Sequence, residues 1–304
     1  MNKKYIFIWL ALMVMVFLTT ACNRVYDDLS SCLSNVLVFS YLADDNQEHL
    51  QEYVDGIDVF IFDAKEDILV EKHHLEREQL LSPLEVRLPE GDYKVIALGN
   101  ALKETTISKE SSYRGSLVSR PELTEKDGRA ASTFDRLYLG EASITSKIMN
   151  ESRDVVRLNS QHVKIHAVVL SDGDNIHSWF EQNREKGFRL TMESLSARFS
   201  FSGQRGGETS FALPFVTDEK SNCFSLDFNT LRFDNDDPIK IRLMQGEKIL
   251  CTVDVAQYIA QYPELIRITG RQEAVLPLFF RQNPLSLSIS VKPWEAVDVV
   301  PITD

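Results

Sequence analysis

Short runs in which apolar and polar residues alternate recur from Asn35 almost to the end of the chain, and they constrain the fold more than any other feature. The cleanest is Leu285-Ser286-Leu287-Ser288-Ile289-Ser290-Val291, which alternates without a break. Successive side chains of a β-strand point to opposite faces, so such a run gives one apolar face and one polar face. The same reading predicts strands at 36–41, 57–62, 67–71, 84–88, 93–98 and 137–140 in the first half. In the second half it predicts them at 155–158, 162–169, 189–193, 197–201, 223–228, 238–244 and 248–253. Helical character is confined to 176–184 and to a turn or two over 255–262, before Pro263.

The breaks between the runs carry turn chemistry. Asp63-Ala64-Lys65-Glu66 joins the second and third runs as a β-hairpin. Pro89-Glu90-Gly91-Asp92 predicts a second hairpin between 84–88 and 93–98, with Gly91 supplying the positive φ of a reversal. Residues 100–135 are polar and weakly patterned, broken at Arg114-Gly115, Arg120-Pro121 and Asp127-Gly128, and form a long excursion of the kind that is often functional. Short strands at this spacing argue for β-sandwiches. Similar strand counts on either side of Asn150 divide the chain into an N-terminal sandwich over 35–150 and a C-terminal sandwich over 151–304.

Ahead of the first strand, Lys3 and Lys4 precede fourteen uncharged residues, Tyr5 to Leu18. At 1.5 Å per helical residue that stretch covers roughly 21 Å, short of the ~30 Å hydrocarbon core. It reads as a signal peptide, residues 1–21. Leu18-Thr19-Thr20-Ala21-Cys22 resembles a lipobox, with Thr19 where leucine is commonest, so Cys22 is the expected lipidated N-terminus. One acyl chain holds a protein to a membrane only marginally, whereas two or three give stable anchoring. Residues 23–34, with Asp27 and Asp28, form a polar tether resembling the surface-export signals of Bacteroidetes lipoproteins.

The formal net charge is −12, and loss of Lys3 and Lys4 with the leader takes it to −14. A surface of that sign repels phosphate backbones, which argues against a nucleic-acid partner. Once Cys22 carries lipid, Cys32, Cys223 and Cys251 remain, so at most one disulfide forms. Cys223 and Cys251, on strands of one half, are the expected pair; three buried thiols are the alternative.

Candidate chemistry is sparse. His162 and His166 fall on a strand, where residues four apart are separated by ~13 Å and cannot share an ion; they read as a solvent-facing row. His73 and His74 are adjacent and point to opposite faces. Asp172-Gly173-Asp174-Asn175 and Asp234-Asn235-Asp236-Asp237 lack the glycine and terminal glutamate of a calcium loop and read as acidic turns. No P-loop, nucleophile elbow or HExxH motif is present. No catalytic residue, metal site or cofactor is therefore assigned. Trp179 and Trp294 could form an aromatic platform for a glycan, although Trp294, just after a strand, reads more simply as a packing residue.

Taken in order, several segments resemble one known family. They are Cys22, Tyr26-Asp27-Asp28-Leu29-Ser30-Ser31-Cys32, Val59-Phe60-Ile61-Phe62-Asp63, Leu88-Pro89-Glu90-Gly91-Asp92-Tyr93, Gly99-Asn100, Leu139-Gly140, Lys164-Ile165 and Ser290-Val291-Lys292-Pro293-Trp294. Their succession resembles the FimB-type fimbrial anchor lipoproteins of Bacteroidetes, with a departure at Arg157-Leu158-Asn159-Ser160-Gln161. The resemblance implies two transthyretin-like β-sandwich domains and a non-catalytic outer-membrane lipoprotein at the base of a type V pilus. It also implies acyl chains on Cys22 in the membrane, strand-mediated contacts with fimbrial stalk subunits, and an end to assembly at this subunit. A surface lipoprotein that binds glycans beside a polysaccharide transporter is the alternative.

Overall fold

A computed structural model describes residues 35–121, 133–147, 151–283 and 289–293. The first nine strands are β1 Asn35–Ser40, β2 Gly56–Asp63, β3 Leu69–Glu76, β4 Leu84–Val86, β5 Gly91–Gly99, β6 Thr106–Ser108, β7 Leu117–Ser119, β8 Tyr138–Ser146 and β9 Ser152–Ser160. A short helix, α1 Leu50–Tyr53, follows β1. The second group is β10 His162–Ser171, β11 Arg189–Leu195, β12 Arg198–Ser200, β13 Arg205–Gly206, β14 Thr209–Pro214, β15 Val216–Asp218, β16 Cys223–Leu231, β17 Lys240–Gln245, β18 Lys248–Asp254, β19 Val275–Gln282 and β20 Ile289–Lys292. Helices α2 Ile176–Arg184 and α3 Val255–Gln261 lie where the sequence places them. Asn175 caps α2 by accepting from the Ser178 amide, and Asp254 caps α3 through the Gln257 amide.

The N-terminal sandwich is one sheet that curls over its own core, in the order β3-β2-β5-β8-β9-β1-β4. The fold-over lies at β8, whose first three residues pair with the end of β9 while the rest of β9 diverges to run beside β1. Gly140 sits at that corner, where a Cβ would come within 2.9 Å of the Arg157 carbonyl oxygen and 3.0 Å of Val156 Cγ1. Leu37, Phe39 and Val156 from one limb meet Ile57, Val59, Ile61, Val95 and Ala97 from the other. The C-terminal sandwich packs a β15-β16-β10-β19-β20 sheet on a β14-β11-β17-β18 sheet.

Four differences from the sequence reading have physical causes. First, 84–86 and 91–99 are strands but not a hairpin: β4 pairs with β1, and β5 lies between β2 and β8. The Pro89 to Gly91 link crosses between limbs of the curled sheet instead of reversing, and Gly91 does not need a positive φ. Second, the sheets divide at Gln161 rather than at Asn150, because β9 pairs with β8 and β1. Third, β14 and β19 carry no sequence signal used above. In β19, Val-Leu-Pro-Leu-Phe-Phe is buried along most of its length, so alternation vanishes. Fourth, part of the 100–135 excursion is an ordered arm. Its strands β6 and β7 join β12 and β13 of the second domain in a β13-β12-β7-β6 sheet.

That arm accompanies a shared apolar layer. Phe60, Phe62, Ile96 and Leu98, on the outer face of the first domain's sheet, belong to the same buried cluster as Phe199 and Phe201. The Phe60 and Phe201 rings are 5.0 Å apart. The near-continuous burial of β2 follows, since both of its faces are covered.

Candidate functional site

Of the residues singled out in the sequence, Cys22, Cys32 and Trp294 lie outside the described residues. Cys223 and Cys251 are both free thiols, half-buried, on strands of opposing sheets, so the expected bridge between them is not formed. Burial pushes both thiols up, which makes them poor nucleophiles. Alkylation of the folded protein without reductant should therefore label neither quickly, and alkylation after unfolding should label both. Protection of the pair after unfolding without reductant would show a disulfide.

His162 is not part of a solvent-facing row. It is 2 % exposed, whereas His166 is half-exposed and pairs with Asp227 at 2.7 Å. His73 pairs with Glu71 at 2.9 Å and His74 with Asp58 at 2.7 Å, and the Asp58 hydrogen bond raises the His74 imidazole above its ordinary range. The acidic turns are occupied internally: Asp234 and Asp237 pair with Arg205, and Asn235 Oδ1 accepts the Ile268 and Thr269 amides. Among the described residues no group of three or more His, Cys, Asp or Glu side chains is placed to hold a metal ion. Trp179 is a core residue, its Nε1 donating to Gln282 Oε1 at 3.1 Å and its ring packed on Phe188 and Phe224. It cannot serve as an exposed glycan platform.

For a tether, the informative features are how the first strand is held and how the two domains are joined. Strand β1 lies between β9, parallel from Asn35 and Ser152 to Ser40 and Arg157, and β4, antiparallel over Asn35 to Leu37. Its first residue is clamped: Asn35 Nδ2 donates to Ser146 Oγ at 3.2 Å, and Asn35 Oδ1 accepts from Ser152 Oγ at 3.0 Å. Just past its other end, Tyr41 enters a polar cluster that spans both domains.

The centre of that cluster is Glu273, two residues before β19. One carboxylate oxygen accepts from the hydroxyls of Tyr41 and of Tyr138, the latter at 2.8 Å, and the other accepts from Arg136 at 2.6 Å. Asp44 accepts the amides of Gln272, at 2.7 Å, and of Glu273, at 3.3 Å. Arg232 holds the same loop from behind through the carbonyls of Ile268, at 2.9 Å, and of Arg271. Burial alone would push the Glu273 carboxyl up, but the Tyr41 and Arg136 hydrogen bonds and the Arg136 charge outweigh it and hold it below its ordinary range. Burial, reinforced by Glu273, drives both tyrosine hydroxyls far upward, so they stay protonated donors.

His162 completes the cluster with its ring edge-on to Tyr138. Its Nδ1 lies 3.1 Å from the Leu137 carbonyl oxygen, which fixes Nδ1 as the protonated nitrogen. Although Nε2 is 3.8 Å from Glu273, burial pulls the imidazole down to about 4, so the contact is between a neutral ring and a carboxylate, not an ion pair. No sequence motif marks these seven residues, which span positions 41 to 273.

Comparison with known proteins fits this architecture. The family model for fimbrillin-A associated anchor proteins Mfa1 and Mfa2 matches residues 29–300. No curated protein matches the chain. Among solved structures, a protein described as an adhesin from Bacteroides ovatus superposes with a TM-score of 0.68 at 15 % identity, covering 86 % of this chain and 93 % of its own. A protein described as polysaccharide-binding from Bacteroides thetaiotaomicron gives a TM-score of 0.68 at 15 % identity, covering 86 % and 96 %. The fimbrial anchor protein Mfa2 from Porphyromonas gingivalis gives 0.60 at 16 % identity, covering 85 % and 95 %. At these identities the structural likenesses carry the fold alone, and the family rests on the match along the sequence. With nearly all of the chain past its first 28 residues inside that match, the protein belongs to the fimbrillin-A associated anchor family, a family of structural proteins and not of enzymes.

Proposed function

We propose that the mature chain is an outer-membrane lipoprotein, held by acyl chains on Cys22, that fixes a fimbria to the cell surface and ends its assembly. The observation that carries the reading is the position of β1, paired on both sides with Leu37, Phe39 and Tyr41 in the core. A subunit that opens a groove for a neighbour's strand must give up a strand of its own. Giving up β1 would strip Leu37 and Phe39 from the core, loosen Tyr41 just past it, and also cut the chain from Cys22, thirteen residues before Asn35. A subunit that keeps β1 closes one end of the fibre. Its contact with the stalk then falls to the other end of the chain, where β20 is an edge strand leading to residues 294–304.

The test compares fibre retention in the parent strain, in a strain lacking the gene, and in one carrying Cys22→Ala. Fibres should be shed into the medium by both altered strains, and the variant should incorporate no labelled palmitate. Deleting residues 295–304 should weaken fibre attachment while leaving the lipoprotein in the membrane. Fibres kept on cells that lack the gene would sink the proposal.

A further inference from the structure

A tether that joins membrane to fibre is pulled from both ends, and the strand directions determine how such a pull is met. Tension on the lipid end enters at Asn35 and draws β1 towards its own N-terminus. Its partner β9 continues through Gln161 into β10 and is drawn the opposite way, from its C-terminal end. Because β1 and β9 are parallel, those two points lie at opposite ends of a six-residue ladder, Asn35 beside Ser152 to Ser40 beside Arg157. Every hydrogen bond in the ladder is then strained together; if both strands were pulled from the same end, the bonds would open one at a time.

The arrangement is repeated in the second domain. Strand β10 receives the pull at His162, and β19 passes it on from Gln282. These two are also parallel, in register from Lys164 beside Val275 to Ser171 beside Gln282. Neither parallel pair is needed to make a β-sandwich, which antiparallel strands build alone. At the far end of β1, Tyr41 is tied across the domain junction to Glu273, two residues ahead of β19. For β1 to slide towards the membrane, the Tyr41 ring must leave a site where it is fully buried against Tyr138.

We propose that this fold is a mechanical clamp: tension between the lipidated N-terminus and the C-terminal strand is taken in shear by the β1/β9 and β10/β19 ladders, with the Tyr41 to Glu273 contact as the stop. The direction of the load rests on the anchor reading; the geometry does not. Strand β20, four residues long and antiparallel to β19, is the link that peels first.

The test is single-molecule pulling on the full mature chain in two geometries. One attaches handles at the N- and C-termini. The other attaches them at the N-terminus and at the exposed Glu151, which adjoins Ser152 and so pulls β1 and β9 from the same end. Forced rupture follows the barrier along the pulled direction, so the main rupture force should be about twofold or more higher in the first geometry. Tyr41→Phe keeps the ring and should lower the first force while leaving the second unchanged. Equal forces in the two geometries would overturn the shear assignment with no variant needed. An unchanged end-to-end force in a folded Tyr41→Phe chain would overturn the stop. Neither reading involves a fimbria, so failure here is distinct from failure of the anchor proposal, which fibre retention reports.

Discussion

Gly140→Val should destabilise the N-terminal domain by about 3 kcal/mol or more, enough to remove much of the stability of a marginal fold. The cause is the corner at which the sheet curls over its core. There β8, paired with β5 along its whole length, also takes β9 as a partner over its first three residues, and the Gly140 α-carbon approaches the Arg157 carbonyl and Val156 Cγ1 so closely that even a Cβ falls at 2.9 and 3.0 Å. A backbone carbonyl cannot rotate out of the way as the end of a flexible side chain can. The β8/β9 pairing must therefore open, and with it the packing of Tyr138 and Leu158 on the first core. Gly140→Ala should cost less, by about 1–3 kcal/mol, since overpacking scales with the atoms forced in. Thermal or urea unfolding of the two variants beside the wild type checks the order Val, then Ala. A Gly140→Val protein as stable as its parent would mean that the corner is not closed as described. Gly206, which has open space around its α-carbon, supplies the control and should accept alanine with little change.

How much of this was legible in the sequence depends on what each feature leaves along the chain. Strands with one face buried leave alternation, and β1, β10, β11 and β16 were all visible on that basis. Alternation shows that a segment is a strand but is silent about its partner. The 84–88 and 93–98 runs therefore read as neighbours when β8, β9 and β1 separate them. Strand β19 left no alternation because Val275, Pro277 and Phe279, on the face opposite the core residues Leu276, Leu278 and Phe280, are apolar too. That proline lies ahead of the part of β19 that β20 covers, and its carbonyl accepts the Tyr258 hydroxyl at 2.9 Å. The arm over β6 and β7 looked unstructured because its strands are three residues each and complete their sheet only with β12, about eighty residues away in sequence. Assignment to the anchor family was legible because it rests on the order of local motifs, which a sequence preserves. The Glu273 cluster was not, because its members are polar residues on five separate segments that only the docked domains bring together.

That cluster makes stability fall in acid in two separable steps. His162 is held neutral with its imidazole at about 4, against an ordinary value of 6.5, because protonation would place a charge in a buried site. Between those values the unfolded chain binds a proton that the folded chain does not. Stability should therefore decline as pH drops from 6.5 towards 4, by up to about 3 kcal/mol at 1.36 kcal/mol per unit. Below 4 the folded protein takes up the same proton and this loss levels off. Glu273 acts lower: its folded value lies below the ordinary 4.5, so its contribution is intact above that pH and disappears as pH falls through the folded value. His162→Gln keeps a donor for the Leu137 carbonyl and should flatten the decline between 6.5 and 4. Glu273→Gln should leave that limb in place and cost about 2–3 kcal/mol at neutral pH, the order expected when charge-assisted hydrogen bonds lose their anion. The cost arises because an amide oxygen can satisfy the two tyrosine hydroxyls only by turning its NH2 towards Arg136, donor against donor. Arg136 is 41 % exposed and can turn to water, which keeps the figure below that of a fully buried pair. Urea unfolding of the three proteins from pH 8 to pH 3.5 separates the steps. If His162→Gln retains the full decline above pH 4, the buried imidazole is not its source and the acid sensitivity of the domain junction lies elsewhere.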